Sequence, residues 1–417
     1  MEYDVVIIGA GLAGLCCARR LNQAGLNFLI LDSADGVGGR IRTDDVEGFR
    51  LDRGFQVFST AYPEAKMVLD YKALELHSFE PGALVRYGGV FHQLTDPWRR
   101  PLRGFRSVIS PIGTLADKLR VARLRSRVLR GSVADQFATP ETTTLKALQQ
   151  DGFTDSMIER FFRPFLGGIF LDPELQASSR MFNFVFRMFS SGDATLPAEG
   201  MEAIPRQIAL GLPPESIRLN ARVAGLQNRS VSLESGESIQ ARAVVVATES
   251  PVSAELLGES ISPGSQGVTC LYFATDRPPI NQPILVLNGE GHGPVNNLCV
   301  PSLLVPCAPE GRHLVSATVL GIPAQDDATL EREVREHLAS WFGTEVNSWQ
   351  ILRTYRIPHA LPRQRPPALS TPERPVRLQD GLYVCGDHRD NASINGAMVS
   401  GRRAAESILE EFDQKPT

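Results

Sequence analysis

The chain has 417 residues, 42% of them hydrophobic and 22% charged, and a net charge of −4. That length allows two domains or one domain with a large insertion, and the composition is that of a soluble globular protein. No run of eighteen apolar residues exists, which excludes a transmembrane helix.

The first strand begins almost at Met1, leaving no room for a leader, so a cytoplasmic protein is expected. The six cysteines form no C-x-x-C pair and sit mostly in apolar surroundings, as buried free thiols do. The seven histidines show no metal-ligand spacing, and no metal is expected.

Val5-Val6-Ile7-Ile8 reads as a buried strand, and Gly9-Ala10-Gly11-Leu12-Ala13-Gly14 follows with the spacing G-x-G-x-x-G. A helical pattern through Ala18, Leu21 and Ala24 stops at Gly25, and the apolar run Phe28–Leu31 ends on Asp32. Strand, tight turn, helix and strand-ending acid together make a dinucleotide-binding unit. Gly9 permits the turn, Gly11 lets the backbone approach a pyrophosphate, and Gly14 lets the helix pack on the strand. The helix N-terminus, with Leu12 and Ala13, offers free N–H groups to phosphates. Asp32, with Ser33 beside it, is placed to hold ribose hydroxyls. Gly38-Gly39-Arg40 then supplies a second backbone surface and a cation where a pyrophosphate would lie.

These motifs resemble the FAD-binding signature of the flavin amine oxidase and phytoene desaturase superfamily. Leu51-Asp52-Arg53-Gly54-Phe55-Gln56-Val57-Phe58 continues the likeness, and is most similar to the plant-type phytoene and zeta-carotene desaturases. The resemblance implies that Gly54, Phe55, Gln56 and Val57 lie against the flavin ring, with Gln56 standing where the desaturases have His.

Gly88-Gly89 reads as a hairpin turn. Between Arg99 and Arg130 ten cations face one acid, Asp117. This basic stretch, 98–130, contains a helical segment from Leu115 to Leu129 with interleaved apolar residues. It suggests a local anionic partner, an anionic membrane surface before a solvated face, and no nucleic acid. A helical block follows from Thr144 to about Phe189 and holds nine of the twenty phenylalanines. Most are core residues, and some are expected to line an apolar substrate cavity.

Leu196 to Pro205 resembles the superfamily segment that returns the chain to the FAD domain. By the same resemblance Val223 holds adenine through its main chain, and Ala247 ends a buried strand that runs to the cofactor. Strands alternate from Val268 onward, with one helix from Leu330 to Phe342 and an irregular Pro-rich connector over 358–375. Near the C-terminus, Gly386-Asp387 ends a strand, and Ser393-Ile394-Asn395-Gly396-Ala397 opens a helix. These match the family's Gly-Asp…Ser-Met-Glu-Gly-Ala pattern, with Asn395 in place of Glu. They imply that Asp387 takes a ribityl hydroxyl and that the helix start at Ser393, Ile394, Asn395 and Ala397 faces the flavin edge.

The expected fold is therefore α/β. A Rossmann-like FAD-binding domain (1–66, 195–265 and 376–417) carries an inserted α+β substrate domain (67–194 and 266–375). The expected function is FAD-dependent oxidation of a large hydrophobic small molecule of polyene type, by desaturation or flavin-assisted isomerisation, with hydride passing to flavin N5. A tetrapyrrole oxidase, an amine oxidase and a non-catalytic flavoprotein are the alternatives. Many amine oxidases place a Lys near the flavin, and no Lys occurs here between Lys146 and Lys415. Gln56, Arg356 and His359 are weak catalytic candidates, with Arg53 and His388 as further polar groups. The electron acceptor stays open.

Overall fold

The computed structural model describes residues 3–99, 110–227, 229–258 and 264–414. Among these the strands form sheets of eight, seven, three and two strands. The mixed α/β architecture is the expected one.

The larger sheet grows from the opening motif. Strand Tyr3–Ile8 pairs in parallel with Phe28–Leu31 on one side and Ser238–Val246 on the other. The second half of Ser238–Val246 pairs in parallel with Leu382–Val384, and its first half pairs antiparallel with Ser230–Leu233. Ile8, Leu31, Val246 and Val384 share one register row. The four parallel strands thus end together, and their carboxyl ends open on one crevice, the usual ligand position in such sheets.

Helices Leu12–Gln23 and Ile394–Gln414 pack together on this sheet. Gly401 brings them very close, since a Cβ there would fall 2.1 Å from the carbonyl oxygen of Ala13. The strands are buried on both faces, so they read as unbroken apolar runs.

The seven-stranded sheet runs Gln350–Pro362, Ser265–Thr275, His313–Leu320, Val295–Cys299, Leu285–Asn288, Gly82–Tyr87 and Val90–Thr95. The last two form the expected hairpin around Gly88-Gly89. Helices Arg163–Phe170 and Ser179–Ser191 belong to a second core cluster, in which Phe162, Phe182 and Phe184 are fully buried.

The irregular connector expected over 358–375 is corrected in its first part, because strand Gln350–Pro362 continues through two prolines. It is an edge strand, so a proline there need not donate to a neighbour. It also bulges: Ile357 pairs Val268 and Leu361 pairs Gln266, so four steps on one strand match two on the other. Pro358, His359 and Ala360 occupy that bulge.

Helix Leu115–Leu129 forms as expected, closed at its start by a capping box of Thr114 and Asp117. Its cations are largely engaged within the protein. Arg127 pairs with Asp151 at 2.5 Å, Arg120 with Asp117 at 3.2 Å, and Arg125 donates to the Ser190 carbonyl. Arg100, Arg103 and Arg106 lie outside the described residues. Among the described residues no helix is long and apolar enough to cross a membrane. All six cysteines are buried and free.

Candidate active site

The crevice is built first from the glycine turn. Gly14 is required by close approach, because a Cβ on it would sit 1.9 Å from the carbonyl oxygen of Gly9. Gly11 is different, for a Cβ there would meet nothing within 4 Å. Its backbone faces open space at the start of a helix with no side-chain cap and no acid in its first turn. Uncapped N–H groups beside an open approach are what an anionic group needs.

Asp32 lies at the end of its strand, where its carboxylate accepts the N–H of Ala10 at 2.6 Å and of Ala34 at 2.8 Å. It is half-buried, and Ser33 beside it is exposed. Residues 220 and 221 run alongside through bonds to Ala34 and Asp32, which brings half-buried Val223 to the same end of the crevice. Ala247 donates to Ile8 and lies against Gly9.

The second loop folds back onto the first. Gly38 donates to Ala10, and a Cβ on Gly39 would stand 3.4 Å from Gly11 Cα. Arg40 reaches across the crevice. One terminal nitrogen lies 2.8 Å from a carboxylate oxygen of Asp387, and the other donates to the Ala360 carbonyl at 2.9 Å. It therefore joins the Gly-Gly-Arg loop, the Gly-Asp turn and the bulge of the edge strand.

Gln56 donates to the Arg40 carbonyl at 2.9 Å and to the Arg53 carbonyl, holding the Gly54–Val57 segment to the same loop. A Cβ on Gly54 would come within 2.8 Å of Ile357, so this segment lies directly on the seven-stranded sheet. Phe55 packs edge-on against Phe79, and Val57 is half-buried. Arg53 forks onto Asp44, which also accepts the Tyr355 hydroxyl at 2.7 Å.

The C-terminal residues gather at this crevice too, with some side chains engaged elsewhere. Ser393 Oγ accepts the Gly396 N–H at 3.0 Å and so caps the last helix. Asn395 is buried, and its Oδ1 accepts the Glu64 N–H at 3.1 Å, tying the two helix starts. Ile394 and Ala397 are half-buried against the main core. The Arg356 guanidinium bonds Asp327 at 2.8 Å and the carbonyls of Pro323 and Gln325. His359 is half-buried in the bulge, and its Nδ1 is buried without a partner.

Two further residues organise the site, and Gln364 belongs to no motif. Gln364 donates to the Asp390 carbonyl and accepts the Ala392 N–H, each at 2.9 Å, clamping the turn after Asp387. Ser400 accepts the Gly386 N–H at 3.1 Å, and its place in the Ser-Gly pair after the last motif was the available signal.

The model of the family described as flavin containing amine oxidoreductase matches residues 12–409. The chain belongs to that family. It is thus an FAD-dependent oxidoreductase, and the crevice offers the glycine turns and uncapped helix start that such a cofactor requires. Putrescine oxidase of Kocuria rosea is 40% identical over 77 residues, 18% of this chain and 16% of that protein. Coproporphyrinogen III oxidase of Mycobacterium leprae is 26% identical over 170 residues, 39% of this chain and 36% of that protein. These curated relatives are therefore matched over well under half their length.

A solved protoporphyrinogen-oxidase-type protein of Exiguobacterium sp. 255-15 superposes with a TM-score of 0.73 at 18% identity, covering 99% of both chains. At that identity the likeness shows the fold. Of the expected resemblance, what these comparisons show is membership of the wider family, with amine and porphyrinogen oxidases among the similar proteins.

Proposed function

We propose that this flavoprotein oxidises a large, mainly apolar small molecule, a tetrapyrrole or a polyene. Residues 1–66, 195–265 and 376–417 carry the FAD, and 67–194 and 266–375 enclose the substrate. Asp32, Ser33 and Val223 would hold the adenosine end of FAD. Gly9, Gly11, Leu12, Ala13, Gly14, Gly38, Gly39 and Ala247 would hold the pyrophosphate, with Arg40 as the nearby cation. Gly386, Asp387, Ser393, Ile394, Asn395 and Ala397, with Gly54, Phe55, Gln56 and Val57, would hold the ribityl chain and ring. When bound, the flavin supplies hydride acceptance at N5. The protein supplies orientation and a site screened from water. His359 presents an imidazole on the substrate side.

The observation that carries the apolar-substrate reading is the ring series Phe161, Phe165 and Phe189. Successive centroids lie 5.3 Å apart, and all three rings are only half-buried, unlike their core neighbours. Half-exposed contiguous rings, the first pair stacked and the second tilted, suit a flat or extended hydrocarbon. The missing Lys between 146 and 415 counts against amine chemistry. The test is anaerobic photometry of the purified yellow protein. Protoporphyrinogen, coproporphyrinogen, phytoene or zeta-carotene is expected to bleach the flavin band. Bleaching by amines such as putrescine alone would overturn the reading.

Peripheral contact with an anionic membrane is a further proposal for helix Leu115–Leu129. Leu115 and Leu119 are exposed by 61% and 67%, and Arg123 is exposed on the same helix. Salt-sensitive sedimentation with phosphatidylserine vesicles, abolished by Leu119→Glu with Arg123→Glu, is the expected result. Equal sedimentation of that variant would remove the idea.

A further inference from the structure

Just past the edge strand, Pro362 and Gln364 are buried while Arg363 and Arg365 are exposed. That alternation is the one of extended chain, so the two arginines share a side. Gln364 between them bonds Asp390 and Ala392 with its side chain, and its carbonyl accepts the Ser178 N–H at 2.9 Å. The arginine pair therefore stands where the helical block meets the turn that leads into 393–397.

A small cavity lies at this junction. Its lining includes apolar Phe170, Met181 and Leu361 and polar Gln266, Arg363 and Arg365, with Ala392 of the turn beside them. The free space is about 20 Å³. One water-sized group needs about 10–15 Å³ on this measure. The cavity thus takes an end group of a ligand, not its body.

The polar groups say which end group. Two cations and one acid, Asp172, leave the lining net positive. Asp172 is only 3% exposed and already engaged, for it accepts the Ala177 N–H at 2.8 Å and faces Arg365 at 4.0 Å. Among the described residues neither the Arg363 guanidinium nor the Gln266 amide has a hydrogen-bond or ion-pair partner. A planar guanidinium fork with an amide donor matches a carboxylate, whereas an ammonium end would face two like charges.

We propose that this cavity binds a carboxylate of the substrate, with Arg363 and Arg365 as charge partners and Gln266 as a further donor. The molecule oxidised is then an apolar body with acidic arms, not a bare hydrocarbon. The inference rests on the apolar-substrate reading above and, within it, selects carboxylated tetrapyrroles over polyenes.

The test follows binding of coproporphyrin III and of its methyl ester to the FAD-loaded protein by porphyrin fluorescence. The acid is expected to bind about tenfold more tightly than the ester, an advantage that shrinks as salt rises. Arg363→Gln with Arg365→Gln should lower affinity for the acid about tenfold, with ester affinity and FAD content unchanged. Should exposing Asp172 unfold that double variant, Arg363→Gln alone decides, with a loss of about threefold for the acid only. Failure of the acid to bind, equal affinity for acid and ester in wild type, or equal loss of both in a folded variant overturns the proposal. Anaerobic bleaching separates it from the reading beneath. If phytoene bleaches the flavin as fast as coproporphyrinogen does, the apolar substrate stands and the carboxylate falls. If putrescine alone bleaches it, both fall.

Discussion

The guanidinium of Arg40 and the carboxylate of Asp387 stand 2.8 Å apart, near opposite ends of the chain, and the same guanidinium holds the Ala360 carbonyl. One side chain therefore ties the Gly-Gly-Arg loop and the Gly-Asp turn to the edge strand of the seven-stranded sheet. Arg40→Ala is expected to weaken FAD binding by roughly tenfold or more, as for loss of charge-assisted bonds. It should also speed amide exchange across 357–361, because the bulge loses its anchor. Hydrogen exchange read by mass spectrometry checks the second effect, and unchanged protection there would contradict the coupling.

The two inner glycines of the opening motif separate folding from binding. Gly14→Ala forces a methyl to within 1.9 Å of a backbone oxygen and should cost about 3 kcal/mol or prevent folding. Gly11→Val projects into open space, so it should fold with nearly wild-type Tm and yet fail to retain FAD. Thermal melts and absorbance at the flavin band distinguish the two. A stable, yellow Gly14→Ala would show that the helix sits farther from the strand.

Asp52 sets an expected pH dependence. Its carboxylate accepts Thr43 Oγ at 2.6 Å and the Met201 N–H at 2.9 Å. Burial, with Glu202 nearby, nevertheless pushes the carboxyl up to about 6 from 3.8. Between those values the folded state keeps a proton that the unfolded chain releases. Stability from this group therefore falls as pH rises through that window, and the loss is complete above it. Asp52→Asn keeps an acceptor for both donors and removes the titration. Its Tm advantage over wild type is expected to grow from pH 4 to pH 7 and then level off. An advantage independent of pH would refute the assignment.

Gln364 clamps the turn after Asp387 through both ends of its amide. Gln364→Ala leaves a buried carbonyl and a backbone N–H unpaired, which should cost about 2 kcal/mol. Urea denaturation measures the loss. Gln364→Glu can accept but not donate, so it should fall between the two, and a fully wild-type Gln364→Glu would argue against the clamp.

The parts of the fold carried by local pattern were legible: the opening strand, turn, helix and strand, the Gly88-Gly89 hairpin, and helix Leu115–Leu129. Each depends on residues within one or two turns of one another. What pairs across the chain was not legible. Arg40 was read as a pyrophosphate cation, and its bonds to Asp387 and Ala360 depend on tertiary approach. Arg356 looked like a polar candidate on a strand near the site, but its guanidinium bonds Asp327 at the start of helix Asp327–Phe342 and the carbonyls of Pro323 and Gln325 just before it. The bulge at Pro358–Ala360 arises from the register of two strands about ninety positions apart, which no local pattern encodes. Asn395 stood out as a departure from the family pattern, and its partner, Glu64, emerged only from the packing of two helix starts.

Strand Leu382–Val384 completes the row of parallel strands that begins with Tyr3–Ile8. During synthesis at roughly 5–20 residues per second, the opening strand waits roughly 12–48 s for its neighbour Ser238–Val246, which then waits roughly 7–28 s for Leu382–Val384. Over the first interval Val5 to Ile8, and over the second Val244 to Val246, are apolar strands with an unfilled flank. The nascent protein is thus exposed to misassociation in proportion to translation time, and chaperone occupancy or co-expressed flavin should affect yield more than the stability of the finished fold suggests.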